Sequence, residues 1–346
     1  MEPIKFVVKN TSIRNGRIDH VDIGDATFID CSDCPSLTEL PLWPNVNKVD
    51  CSYCTSLTKL PLWPNVTIVD CYNCTSLTEL PLWPNVTEVD CNSCYLLTEF
   101  PLWPKVTKVY CYNCTSLTEL PMWPNVTKVY CNNCRLLTEL PVWPNITEVN
   151  CIDCTSLTEL PLWPNVREVY CRDCPSLTEL PLWPNVNKVL CSDCRLLTEL
   201  PVWPNITEVN CIDCTSLTEL PLWPNVREVW CSCCPSLTKL PLWPNIKEVH
   251  CTYCTSLTEL PLWPNVPIVY SNLSVKPVYT LVDPNKTIYS SQSETCCICM
   301  ENPKEIIFNP CYHFDTCIKC AEQLNFVSSK CPICRTRIKS LIKTKF

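Results

Sequence analysis

Eight residues near the carboxyl end have the types and spacing to hold two zinc ions. They come in pairs: Cys296 with Cys299, Cys311 with His313, Cys317 with Cys320, and Cys331 with Cys334. Zn²⁺ takes four nitrogen or sulfur ligands in a tetrahedron, and a CxxC turn points two thiolates at one metal. Four pairs make two closed sites with no position left for water, which predicts a structural metal and not metal hydrolysis. Cys297 is a spare thiol. Cys296 is the predicted ligand because it keeps the two-residue spacer before Cys299. A segment this short needs its metals to fold. No Ser/His/Asp group, phosphate loop or HExxH pattern stands elsewhere. Cys233 and Cys297 are off-pattern thiols, but neither has a His/Asp setting for a covalent relay.

The order of three cysteines, one histidine and four cysteines resembles the RING finger of many ubiquitin ligases. The resemblance covers residues 296 to 346 and implies interleaved sites. Cys296, Cys299, Cys317 and Cys320 would share one zinc; Cys311, His313, Cys331 and Cys334 would share the other. It also implies a docking surface for a ubiquitin-conjugating enzyme (E2), at Ile298, Leu324, Pro332 and Ile333. Arg335, after the last ligand, matches the cation that contacts both E2 and ubiquitin. The tail from Ile338 to Phe346 alternates like a terminal strand. It is similar to the tails of dimeric RINGs related to the inhibitor-of-apoptosis proteins, which implies a RING homodimer and a ubiquitin contact for Phe346. That aromatic stands one place later here than is usual. A frayed basic terminus is the other reading.

Most of the remaining chain must display rather than react. Its 346 residues include 33 Cys, 34 Pro and 13 Trp but 2 Gly. So much cysteine suggests a secreted disulfide protein. Against that, the first ten residues lack a signal-peptide pattern and no apolar run is long enough to cross a bilayer. The expectation is a cytoplasmic protein with free thiols. The net charge is −8 and no region is strongly basic, which argues against nucleic acid.

From residue 37 to 270 the sequence repeats every 20 residues, a period that marks a solenoid. One unit reads Leu77-Thr-Glu-Leu80-Pro81-Leu-Trp83-Pro84-Asn-Val86-Thr-Glu-Val89-Asp-Cys91-Asn-Ser-Cys94. Residues 135–169 recur unchanged at 195–229. The spacing from Val86 to Leu97 resembles the leucine-rich repeat, and Leu80-Pro81-x-Trp83-Pro84 the turn of short bacterial effector repeats. The fold class is therefore mainly β: a short-repeat solenoid with parallel strands, then a cross-braced zinc module. Residues 1–30 read as an amino-terminal cap, with Asn15-Gly16 in a tight hairpin able to cover the open strand edge. Residues 31–270 read as about twelve repeats, 271–295 as closing cap and linker, and 296–346 as the zinc module. Cys51, Cys54 and their equivalents fall at inward positions, as small hydrophobes in a core ladder; a metal array or disulfide stack is the rival. The equivalents of Trp43 read as core. The facing of Leu42 and its equivalents stays open; turned to water they would form an apolar stripe.

Comparing units separates scaffold from surface. The position after the second valine varies from Asp50, Asp70 and Asp90 to Tyr110, Tyr130, Tyr170 and Trp230, and the position after the first cysteine includes Tyr72 and Tyr112. In a leucine-rich repeat these side chains line the concave face, which implies an unidentified protein substrate held by aromatic anchors. The whole then reads as a RING-type ubiquitin ligase. A non-enzymatic zinc-binding adaptor is the alternative, and a metal-buffering protein a further one. Copied repeat blocks beside a short RING are similar to repeat proteins of large amoeba-infecting DNA viruses, which implies host cytoplasm.

Overall fold

Prolines at fixed places dictate how each turn is built. In the unit from Leu77, the inward residues are Leu77, Leu80, Trp83, Val86, Val89, Cys91 and Cys94, all buried. Successive inward residues lie three apart, except that Val89 and Cys91 lie two apart. Three is the period of the polyproline II backbone that Pro81 and Pro84 favour, and two is the period of a strand. The strand is Glu88–Asp90.

The computed structural model describes residues 4–8, 13–18, 22–258, 260–261, 263, 268–270, 295–302, 304, 306–309, 313–317, 320–321, 330–333, 335 and 340–343. The chain has two compact units, Met1–Thr215 and Ser216–Phe346. In the first, β1 (Lys5–Val7), β4 (Phe28–Asp30), β5 (Lys48–Asp50) and the following strands to β13 (Glu208–Asn210) form a parallel sheet in that order. Residue i pairs with residue i+20, as Val49 with Val69 and Val69 with Val89. In the second unit, β14 (Glu228–Trp230), β15 (Glu248–His250) and β16 (Ile268–Tyr270) pair in the same way. The repeats are a parallel-strand solenoid of 20-residue turns. The expected cap and linker over 271–295 lies outside the described residues except for Thr295. Among the described residues no helix is long and apolar enough to cross a membrane.

Proline has no N–H to give to the preceding turn. On the return side, side chains supply the missing donors. The indole N–H of Trp83 donates to the carbonyl of Pro61 at 3.0 Å, and the amide of Asn85 to that of Pro64 at 2.8 Å. Both bonds recur along the array, as at Trp143 and Asn145. The indoles stack at 5.8–6.1 Å between centroids and within 12° of parallel. Tryptophan stands where a leucine-rich repeat has leucine because it fills the core and also carries the donor that the prolines lack.

The twelve CxxC pairs are buried free thiols, at the inward positions expected. They also form a ladder: Cys51 Sγ donates to the carbonyl of Asp70 at 3.3 Å, and Cys74 Sγ to that of Cys51 at 3.1 Å. The adjoining Cys74 thiol, together with burial, pushes Cys51 well above the ordinary thiol range, so that sulfur is a poor nucleophile. The residue before the second cysteine of each pair is left-handed, with φ between 56° and 64°, and eight of the twelve are Asn or Asp. Those side chains tolerate that conformation best after glycine.

At the amino end β2 (Ile13–Arg14) and β3 (Arg17–Ile18) form the hairpin, turning through Asn15 at φ 51° and Gly16 at φ 76°. The carbonyl of Gly16 accepts the N–H of Thr38 at 2.8 Å, and a Cβ on Gly16 would collide with the Thr38 hydroxyl. The edge of β4 is covered, however, by β1 and not by the hairpin. Each hairpin strand has only two residues, whereas β1 has three, enough to match β4.

Candidate zinc and partner-binding sites

The first zinc ligand set is built from two local turns and the end of a strand. In one turn the N–H of Met300 donates to the carbonyl of Cys296 at 2.8 Å, with Met300 at φ 58°. That closes Cys296 and Cys299 over one point. β17 (Ile306–Asn309), β18 (His313–Thr316) and β19 (Ser340–Lys343) form an antiparallel sheet in the order β18-β17-β19. β18 runs directly into Cys317, and the N–H of Ala321 donates to the carbonyl of Cys317 at 3.1 Å, which turns the chain so that Cys320 returns. The sulfurs of Cys296, Cys299, Cys317 and Cys320 all lie within 4.8 Å of one another. Cys297 is half-buried outside this cluster.

The cluster's chemistry fits a divalent cation. The N–H groups of Asn302 and Glu301 bring the Cys299 thiol down to about 6. Burial, then the neighbouring sulfurs, push Cys320 up to about 12. Four sulfurs this close repel one another once ionised; a cation among them reverses the sign, and N–H groups already aimed at sulfur are what a thiolate site requires. The residues fit Zn²⁺.

Of the second ligand set, Cys311 and Cys334 lie outside the described residues and His313 is described only as part of β18. Cys331 is fully buried. The N–H of Arg335 donates to the carbonyl of Cys331 at 2.9 Å with Arg335 at φ 62°, the same turn as at Cys296–Met300. The two turns present Ile298 and Ile333 at matching positions, 44 % and 48 % exposed. Pro332 is half-buried and Arg335 exposed. Leu324 and Phe346 lie outside the described residues. The expected terminal strand is present as β19, paired with β17.

On the repeats, Tyr110 and Tyr130 stack at 5.0 Å with planes 1° apart, and Trp230 stacks on His250 at 5.7 Å. Tyr72 meets Tyr53 edge-on at 5.0 Å, and Tyr112 is 46 % exposed. The hydroxyls of Tyr130 and Tyr170 donate to Glu148 at 2.7 Å and Glu168 at 2.5 Å. Sequence reasoning missed those carboxylates, although a Glu two residues before a strand-end Tyr was visible at 168 and 170. The acidic start is a ladder: Asp30, Asp50, Asp70 and Asp90 pair across adjacent strands. Burial first, then Asp70 and Glu88, raise the Asp90 carboxyl from 3.8 to about 6, against a hydrogen bond from the Asn92 N–H. A carboxyl raised by folding favours the folded state fully below pH 3.8, and that contribution is lost as pH rises through 6. Asp90→Asn is therefore expected to stabilise the chain at pH 7 by on the order of 1 kcal/mol after solvent screening, and by less at pH 4. Denaturant unfolding at both pH values checks this; an equal effect at each would contradict it.

Residues 292–341 match the family described as zinc finger, C3HC4 type (RING finger). The class of this segment is thus a RING finger, and several of its relatives are ubiquitin ligases by name. Over 50 residues it is 48 % identical to "Probable E3 ubiquitin-protein ligase LUL3" of Arabidopsis thaliana, covering 14 % of this chain and 13 % of that protein. It is 46 % identical over 50 residues to "Mitochondrial E3 ubiquitin protein ligase 1" of Drosophila melanogaster, covering 14 % of each. It is 42 % identical over 53 residues to human "Baculoviral IAP repeat-containing protein 3", covering 15 % of this chain and 8 % of that one. The chain thus spans only about an eighth of the length of the first of these relatives. A leucine-rich repeat protein from Bacteroides ovatus aligns in structure over 78 % of this chain and 84 % of its own, at 15 % identity and a TM-score of 0.46.

Proposed function

We propose that the protein is a RING-type ubiquitin ligase, whose zinc module holds a ubiquitin-charged E2 while the repeats hold a protein substrate. The observation that carries this reading is the pair of matching CxxC turns, each offering an exposed isoleucine, with Arg335 beside the second. Zinc, when bound, supplies rigidity and no nucleophile. The chain's own residues then work by position: apolar Ile298, Ile333 and Pro332 seat the E2. Arg335 gives a fixed cation for hydrogen bonds that hold the thioester ready for a substrate lysine, a gain in effective concentration and orientation. Tyr72, Tyr110, Tyr112, Tyr130 and Tyr170 of the first unit are the proposed substrate face, Trp230 is a separate aromatic candidate in the second, and a compartment that keeps thiols reduced is the proposed setting.

Ile298→Ala and Arg335→Ala separate a ligase from an inert zinc adaptor. Each is expected to cut autoubiquitination about tenfold or more with a responsive E2, the equivalent of roughly 1.4 kcal/mol of lost contact. Zinc content and circular dichroism should not change. Full activity in both variants would overturn the proposed docking surface.

A further inference from the structure

We propose that the return side of the first unit is an interface between two copies of this chain, lying side by side and running in the same direction. The ground is a row of large aliphatic side chains in water. At every twentieth residue from Leu42 to Val202 stands a Leu, Met or Val, nine in all, 51–61 % exposed. Their chain neighbours Leu40 and Trp43, and the equivalents of these, are buried, so the row cannot turn inward.

Three properties commit the row to a second copy. The first is area. Nine half-exposed aliphatics, with the exposed prolines beside them, offer on the order of 800 Å². That is what one partner contributes to a stable interface, and more than the roughly 300–600 Å² that monomers leave bare. The second is periodicity. Side chains repeat along the row once per turn, and on this side the adjoining indoles stand 5.8–6.1 Å apart. Only a surface with the same spacing seats its side chains between these turn after turn, and another copy has it.

The third property is charge, which also fixes direction. In a solenoid, chain order is order around the perimeter. One flank of the aliphatic row is therefore Glu39, Lys59 and then the exposed glutamates carried by each of the seven turns from Glu79 to Glu199. The other flank is the row of Asn65 and its equivalents, interrupted by Lys105. A dyad parallel to the row exchanges the flanks, so glutamates face asparagines and Lys105 meets the acidic row. A dyad across the row sets glutamate against glutamate at every turn except where Lys59 falls, which like-charge repulsion disfavours. The two chains therefore run parallel. This does not depend on ligase activity.

Sedimentation of the full zinc-loaded chain tests the proposal. The native chain is expected to be a dimer at micromolar concentration. The double variant Leu82→Lys/Leu162→Lys, at exposed positions of the first unit, should weaken the dissociation constant about a hundredfold, roughly 2.7 kcal/mol, with circular dichroism intact. A photo-crosslinking residue at Leu62 should capture the partner near its own residue 62. A monomeric native chain overturns the proposal, whatever other protein covers the row. A folded double variant that stays dimeric overturns it too, because the copies then meet elsewhere. Crosslinks near residue 182 overturn the parallel direction, and this readout needs no destabilising substitution.

Discussion

Cys317→Ser is expected to abolish ubiquitin chain formation and to lower bound zinc from two ions per chain to one or none. Cys317 is 1 % exposed and lies with three other sulfurs inside a 4.8 Å cluster. A serine hydroxyl does not ionise near neutral pH and is a hard ligand where a soft one is needed. Structural zinc contributes on the order of 10–16 kcal/mol in small modules, which is most of what folds them. Losing one ligand of four therefore costs the module its fold, and with it the presentation of Ile298 and Ile333. The repeats should survive, since each turn of a solenoid is held chiefly by its neighbours. Native mass spectrometry counts the ions, and far-ultraviolet circular dichroism follows the repeats. Two bound zinc ions with normal chain formation in the variant would remove the metal from its assigned role.

Trp143→Ala should be the most damaging single substitution in the repeats, at about 3–5 kcal/mol. Trp143 is fully buried, stacks on Trp123 and Trp163 at 6.1 Å each, and donates to Pro121 at 2.9 Å. Alanine leaves a cavity and at once takes one of two donors from the half-buried Pro121 carbonyl, which also accepts the Trp123 N–H at 2.9 Å. Trp143→Phe separates the two losses: the ring can still stack but the carbonyl keeps only the Trp123 N–H, at about 0.5–1.5 kcal/mol for the lost bond. Guanidinium unfolding should rank native above Phe above Ala. If the Phe variant matched the native chain, the indole N–H would be irrelevant and the account of why tryptophan occupies this site would fail.

Much of the fold was legible because the twenty-residue period is exact enough to be read without any tertiary knowledge. Inward Val, Leu, Trp and Cys positions, the strand before each first cysteine, and the Asn15-Gly16 hairpin all follow from local chemistry. Less legible were bonds between turns. The Trp83–Pro61 bond joins residues 22 apart, and nothing at Trp83 itself announces its acceptor. The left-handed residue before each second cysteine did leave a signal, the Asn or Asp at 73, 113 and 153, although Tyr53, Ser93, Cys233 and Tyr253 obscure it.

The sequence alone determined the zinc ligand types and spacing, because coordination is set by donor atoms a few residues apart and a CxxC turn is local. It also determined that the repeats stack, since a fixed period forces each turn into the same register as the last. Tertiary structure decided which surface met water. Leu42 and its equivalents are as apolar as Leu40, yet the polyproline backbone turns one out and the other in. Tertiary structure likewise decided that β1, and not the hairpin, closes the sheet edge. Direction around a turn and partnership across turns depend on how the whole chain closes on itself, and no window of neighbouring residues encodes that.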